Sequence, residues 1–404
     1  MVSRLSTAGM HRSSIDAILD HQVQMAKTQQ QITTGKKFQT ASEDPIGAVR
    51  AQGLDRTLAD NAQYGRNSDI IQSRLNYEEQ SLADSTSLLQ SVRDLALQGA
   101  NSSLGTEERR MLANDVRQHL AGLLDIANRD DSNGEYLFAG TSTSTKPFAV
   151  GTTGINYQGD MTNRQVRISS SQSLADGHSG ADVFMNLAQG NGVFTTSVAA
   201  GNTGAGSIDV GRVADPTAWV PGNYTLQFTS ATDWQVLDSA TPTPNVVATG
   251  TGFAPGQSIS FNGVTVTITG QPAINDSFGI QTAQKTDVFA MLQDLANTLD
   301  SGSSTGTDAA TFNTKIGAAI ANLDQALNHV VGVRAEVGSR LSAIDTAADT
   351  RDSEAVDLQS LISDLRDVDY AKAISQLNQQ YAGLQAAQQT YAQFAQLSLF
   401  NFLR

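Results

Sequence analysis

Apolar residues step along the last quarter of the chain at intervals of three and four. Val330, Val333, Val337, Leu341, Ile344, Ala348, Ala355, Leu358, Ile362 and Leu365 fall on one helical stripe, and Arg351 takes the one slot in that row held by a charge. The spacing approaches a heptad repeat, which keeps a seam turned toward a partner helix. After Asp367-Val368-Asp369 the pattern resumes through Ile374, Leu377, Tyr381, Leu384, Gln388, Tyr391, Ala395 and Ser398, and it closes on Leu399-Phe400-Asn401-Phe402-Leu403.

The first third mirrors this. Residues 1–34 carry a thin stripe of Ile15, Ile18, Gln22, Met25, Gln29 and Ile32, with Gly35 as a stop. Asp44-Pro45 is a restart signal, an N-cap followed by proline at the first helical position. A long helix from Ile46 follows, with Leu58, Ile71, Leu75, Leu82, Ser85, Leu89, Val92, Ala96 and Gly99 near heptad spacing. Some fifty residues make a rod on the order of 75 Å. Thr106, with Glu107 and Glu108 behind it, predicts the cap of a third helix carrying Leu112, Val116, Leu120, Leu123 and Ile126, which ends at 128–134.

Between 141 and 284 the period drops to two. Ile155-Tyr157, Val166-Ile168, Tyr224-Leu226-Phe228, Trp234-Val236 and Ile259-Phe261 alternate, and Asn262-Gly263 followed by Val264, Val266 and Ile268 predicts a two-residue hairpin turn. Helix returns near Thr286 with Val288, Leu292, Leu295 and Leu299, and restarts with Asp308 as cap before Phe312, Ile316, Ile320, Leu323 and Leu327. The fold class is therefore α+β: a long coiled-coil-like helical bundle built from both terminal regions, with a mainly β insert divisible into two lobes. The expected domains are terminal helices (1–44 and 369–404), a long helical bundle (45–140 and 285–368) and the β insert (141–284).

Composition narrows the function. A net charge of −14 argues against a nucleic-acid partner and against an anionic membrane surface. There is no run of 18 apolar residues to span a membrane, and the opening residues lack the apolar core of a secretory signal. By these rules alone the chain would be placed in the cytoplasm. With no cysteine, disulfides and thiolate metal sites are excluded.

No catalytic, metal or cofactor set emerges. The five histidines, His11, His21, His119, His178 and His329, show no metal-ligand spacing and read as surface or half-buried residues. Asp131, Asn133 and Gly134 suggest part of a calcium loop, but Arg129 and Gly140 occupy two positions that need acids, so the stretch reads as a helix exit. The acids near Asp364–Asp369 read as solvated faces and helix ends. The enzyme expectation is negative and the cofactor expectation is none.

The terminal segments differ from ordinary core helices. Between Ala371 and Leu403 the only charge is Lys372. A two-helix pair of this kind exposes more apolar surface than a monomer tolerates. The expected intersubunit surface is Ile15, Ile18, Met25, Ile32, Ile374, Leu377, Tyr381, Leu384, Tyr391 and Phe400.

Motifs at both ends carry a family resemblance. Gln31-Ile32-Thr33-Thr34-Gly35-Lys36-Lys37 through Ser42-Glu43-Asp44-Pro45-Ile46-Gly47-Ala48, and Asp367-Val368-Asp369-Tyr370-Ala371-Lys372-Ala373 with the glutamine-rich helix after it, resemble the flagellin family. Gly134-Glu135-Tyr136-Leu137-Phe138-Ala139-Gly140-Thr141 and the Leu397–Leu403 ending look more like its hook–filament junction members than like filament subunits. The likeness covers about residues 1–141 and 286–404, and the middle has no recognisable counterpart. It implies a ring of identical copies between a hook-side junction protein and flagellin. It also implies export without a cleaved signal to an extracellular flagellum, and a chaperone that holds the C-terminal helix beforehand. Two alternatives stand beside this one. The first is flagellin itself. The second, of another class, is a secreted adhesin or hydrolase whose helical ends serve export.

Overall fold

A computed structural model of the chain describes residues 7–131, 133–152, 154–239, 244–302 and 306–400, without the side chains of 7–8, 306 and 394–400. Six helices frame it: α1 (Thr7–Thr34), α2 (Pro45–Gly99), α3 (Thr106–Ala127), α4 (Val288–Asp300), α5 (Gly306–Arg366) and α6 (Tyr370–Phe400). Short strands fill the stretch between α3 and α4. The chain divides into two compact units, one of residues 1–66 with 347–404 and one of residues 67–346. The boundary falls inside α2 and α5.

Local chemistry explains most helix ends. Asp44 Oδ1 accepts from the Gly47 amide at 2.9 Å and Pro45 opens α2, as the sequence predicts. Asp287 caps α4 by accepting from Ala290 N at 2.7 Å, and Asp369 caps α6 by accepting from Lys372 N at 3.1 Å. Gly35 ends α1 in the left-handed region at φ 71°. Two expected caps are corrected. The N-cap of α3 is Gly105, without a side-chain bond, and Thr106 is the first helical residue. Asp308 lies within the first turn of α5, which starts at Gly306.

In the unit of residues 67–346, α2 buries Ile71, Leu75, Leu82, Leu89 and Val92, and α5 buries Leu323, Val330, Val337 and Ile344. These are the predicted heptad stripes. The short run Leu137-Phe138-Ala139 is buried too, in a turn. Phe138, Phe148, Phe184 and Phe289 stack edge-on there, around a single π-helical turn at Ala181–Met185.

The insert is a two-sheet sandwich with small hairpins leading into it. One sheet runs Asn245–Gly250, Trp234–Asp238, Asn223–Phe228, Ser277–Thr282, Phe194–Val198 in spatial order. The other runs Ser258–Phe261, Val264–Thr269, Ser207–Ile208, with Arg212–Val213 also paired to Val264–Thr269. Alternate residues of both, among them Leu226, Phe228, Ile259, Val264, Val266 and Phe278, enter one apolar core. The Asn262-Gly263 turn has φ of 42° and 77°, the mirror-image geometry that suits the twist of a tight hairpin.

A charged cluster ties the loops before the sandwich to the long helices. Arg74, 6% exposed, reaches Glu135 at 3.3 Å and Asp176 at 3.7 Å, and donates to the Tyr136 carbonyl at 2.9 Å. Arg164 grips the same Asp176 at 2.5 Å. Asp131 accepts from the amides of Asn133 and Glu135, so the stretch that resembled a calcium loop is a side-chain-stabilised turn. His178 is buried, which corrects its reading as a surface or half-buried helix residue. Its Nδ1 lies 2.6 Å from Glu78 and its Nε2 3.1 Å from Glu336. Carboxylates face both ring nitrogens, an arrangement that suits the imidazolium.

Two predictions follow from these contacts. A Cβ at Gly263 would run into the Asp215 carbonyl oxygen in a backbone conformation that disfavours side chains. Gly263→Ala should cost about 1–3 kcal/mol. Both tryptophans, Trp219 and Trp234, lie in the insert, so their fluorescence in a denaturant titration reads that loss directly.

Burial alone would lower the His178 pKa, but the Glu78 hydrogen bond and charge outweigh it and raise the value above 6.5. A raised folded value means the imidazolium contributes fully below pH 6.5, and its contribution drains away as pH climbs through the folded value. Helix melting followed by circular dichroism should therefore show a stability loss on the alkaline side that His178→Gln flattens. An identical pH profile for that variant would contradict the assignment.

Candidate assembly surface

The unit of residues 1–66 and 347–404 is built from helices that pair along single seams. On α1 the covered positions are His11, Ser14, Ile18, His21, Met25, Thr28 and Ile32; on α6 they are Ala373, Leu377, Gln380, Leu384, Ala387 and Tyr391. Each row repeats at heptad spacing. The helices run antiparallel: His11 meets Tyr391 edge-on at 5.5 Å, and the Cα of Gly383 faces the His21 ring. Between them the connectors lock register. Lys36 and Asp367 form an antiparallel bridge, in which Lys37 N donates to Arg366 O at 2.7 Å and Val368 N to Gly35 O at 2.8 Å. Lys37 Nζ adds a bond to the Asp364 carbonyl.

The α2–α5 seam of this unit is equally thin. Gly47, Ala51, Leu54, Leu58 and Asn61 lie along α2; Ala348, Arg351, Ala355, Leu358, Ile362 and Leu365 lie along α5. Arg351 is 8% exposed, so the charged slot belongs to the seam. Asn61 Nδ2 donates to the Arg351 carbonyl at 2.9 Å. A polar group in such a seam fixes register at some cost in stability. Arg366 and Asp55, 3.2 Å apart, close one end.

The ten residues expected on the intersubunit surface divide accordingly. Ile18, Met25, Ile32, Leu377, Leu384 and Tyr391 sit on the α1–α6 seam, inside the chain. Ile15, Ile374 and Tyr381 are exposed at 43%, 48% and 55%. The side chain of Phe400 lies outside the described residues. The sequence reading also missed neighbours of the exposed three: Leu19 and Val23 continue the Ile15 flank of α1, and Tyr370 continues the Ile374–Tyr381 flank of α6. Residues four apart on a helix share a face, and that spacing is the signal that links them. Among the described residues, the only large apolar side chains this unit buries are Phe38, Ile362 and Leu384. Yet it holds nearly half of the exposed large apolar side chains in less than a third of the chain. Exposed apolar residues gathered on one flank make this unit the candidate interaction face. Among the described residues, no group of His, Asp and Glu is placed to hold a metal, and no helix is long and apolar enough to cross a membrane.

Known proteins bear the same marks. Residues 5–143 match the bacterial flagellin N-terminal helical region and residues 320–403 the bacterial flagellin C-terminal helical region. Residues 197–282 match the D2-like domain of flagellar hook-associated protein 1, so the middle does have a counterpart. Flagellar hook-associated protein 3 of Salmonella typhimurium is 24% identical over 401 residues, covering 99% of this chain and 100% of that protein. The FlgL crystal structure from Xanthomonas campestris is 33% identical, with a TM-score of 0.71 over 77% of this chain and 99% of that one. The hook-associated protein 3 structure from Legionella pneumophila is 31% identical, with a TM-score of 0.72 over 77% and 98%. By contrast, the B-type flagellin of Pseudomonas aeruginosa is 33% identical over only 122 residues, 30% of this chain and 25% of the flagellin.

Fold and surface thus define a structural subunit of the bacterial flagellum, built on the flagellin plan. Within that class the chain belongs to the family of hook-associated protein 3, FlgL, and flagellin is a more distant relative.

Exposed flank and covered seam make separable predictions. Replacing Ile374 and Tyr381 together by Asp should change the stability of the free chain by no more than about 0.5 kcal/mol per site, yet block assembly. Leu384→Ala should instead loosen the α1–α6 pair by roughly 2 kcal/mol or more. Thermal melts of the purified chains, set beside filament counts on cells, distinguish the two.

Proposed function

We propose that this chain joins hook to filament by forming a ring of identical copies, with a hook-side junction protein on one side and flagellin on the other. The terminal helices, 1–44 and 369–404, form the polymer core. The bundle of 45–140 and 285–368 surrounds it, and the insert of 141–284 faces solvent. The observation that carries this reading is the poverty of burial in the terminal unit. Among the described residues it buries only Phe38, Ile362 and Leu384 of its large apolar side chains, while Ile15, Leu19, Val23, Ile374 and Tyr381 stay exposed. Neighbouring copies are the natural cover for such flanks. The role is mechanical, in keeping with the structural flagellar proteins it is related to.

Two further steps complete the proposal. The chain leaves the cell through the flagellar export route without a cleaved signal, and a chaperone shields the α6 segment until then. Flagellin is disfavoured as the chain's own role because the flagellin-region matches lie at residues 5–143 and 320–403 and the B-type flagellin covers 30% of the chain, whereas hook-associated protein 3 covers 99% of it.

The test is a chain lacking residues 375–404, as the sole copy in a motile strain. It should remain folded and soluble, with tryptophan fluorescence of the insert unchanged, and leave hooks without filaments while monomeric flagellin escapes into the medium. Filaments still seated on hooks would refute the role of the terminal helices.

A further inference from the structure

Beyond the terminal helices, the outer faces of α2 and α5 in the same unit have opposite character. On α2, Val49 and Arg56 face away from the seam and Ile46 and Arg50 flank it, all exposed. Exposed Asp60 shares the outer face, which keeps a net positive charge with two Arg against one Asp. On α5 the outer face carries Asp349, Asp352, Val356, Asp357 and Asp364, also exposed. Val49 is 69% exposed and Val356 65%. Large apolar side chains left this open in the middle of a charged face call for cover, and the charges around them say what kind. The two Arg residues that α5 contributes to this unit do not offset its acids outside. Arg351 is turned into the seam, and Arg366 is committed to Asp55.

We propose that copies of this chain dock side by side in one polarity, the basic and apolar α2 face of one against the acidic and apolar α5 face of the next. This rests on the ring reading above and supplies its lateral contact. A self-matched, two-fold contact would place α5 acids against α5 acids, which repel. A head-to-tail contact joins opposite charges, and repeating it generates a ring when the rotation closes. Val49 and Val356 supply the dry centre, with Arg50 and Arg56 facing Asp349 and Asp352 around it. Charge complementarity of this type selects partner and register, and close charge pairs couple strongly across interfaces.

Charge reversal tests the pairing in a strain whose only copy is the variant. Arg50→Glu with Arg56→Glu should reduce filaments per cell roughly tenfold or more, and Asp349→Lys with Asp352→Lys should do the same. Combining all four reversals in one chain restores complementarity and should restore filaments. Wild-type filament numbers from either pair alone would overturn the proposal. So would failure of the combined variant to recover while its circular dichroism and melting match the parent.

Cross-linking covers the case in which charge reversal disturbs folding. The native chain has no cysteine. Val49→Cys with Val356→Cys in one chain should oxidise on assembled flagella to a ladder beyond dimer, while each single variant yields none. Absence of the ladder overturns the docking. If deletion of 375–404 abolishes filaments but the reversals and cross-links do nothing, the ring reading stands and only the docking polarity falls.

Discussion

A helix pair can shelter only one stripe on each partner, and everything about the terminal unit follows from that limit. The α1–α6 seam covers Ile18, Leu377 and Leu384, but a second apolar flank on each helix lies outside its reach. Among the described residues no third element of the unit hides Ile15 or Tyr381, which stay in contact with water. The unit is therefore a half-finished core. Burial of apolar surface is the dominant favourable term in folding and association alike. A chain that postpones part of that burial reserves it for contact with other molecules.

The seams themselves are weak by composition and accurate in register. Gln380 and Thr28 occupy positions where leucine would hold harder, and Asn61 and Arg351 interrupt the α2–α5 stripe. The Lys36–Asp367 bridge and the Arg366–Asp55 pair then set where the helices meet. The other unit is made differently, with aliphatic heptads, an aromatic knot around Phe184, and the Arg74 and His178 clusters fastening loops to helices. One unit closes its core within the chain, and the other leaves apolar flanks uncovered.

Much of this was legible in the sequence, because long heptad stripes are strongly periodic. Every apolar position named from Val330 to Leu365 falls on the covered side of α5, and the Asp44-Pro45 and Asn262-Gly263 signals give the geometry their chemistry requires. The register of α1 was harder to read. Its seam uses His11, Ser14, His21 and Thr28, so counting apolar residues drew the stripe through exposed Gln22 and Gln29 instead. Strands Phe194–Val198, Asn245–Gly250 and Ser277–Thr282 escaped notice because Thr, Ser and Gly dilute their alternation. The His178 cluster could not be seen at all. Its partners Glu78 and Glu336 lie 100 and 158 residues away, and only the fold brings them together.

Hydrogen exchange measured by mass spectrometry, on the free chain and on isolated hook–filament junctions, tests the central claim most directly. The account predicts that amides of α1 and α6 exchange quickly in the free chain, while those of α2 from Ile71 to Val92 stay protected. In the junction both sets should be protected. If α1 and α6 of the free chain are already as protected as that part of α2, the terminal unit is complete by itself and the account is contradicted.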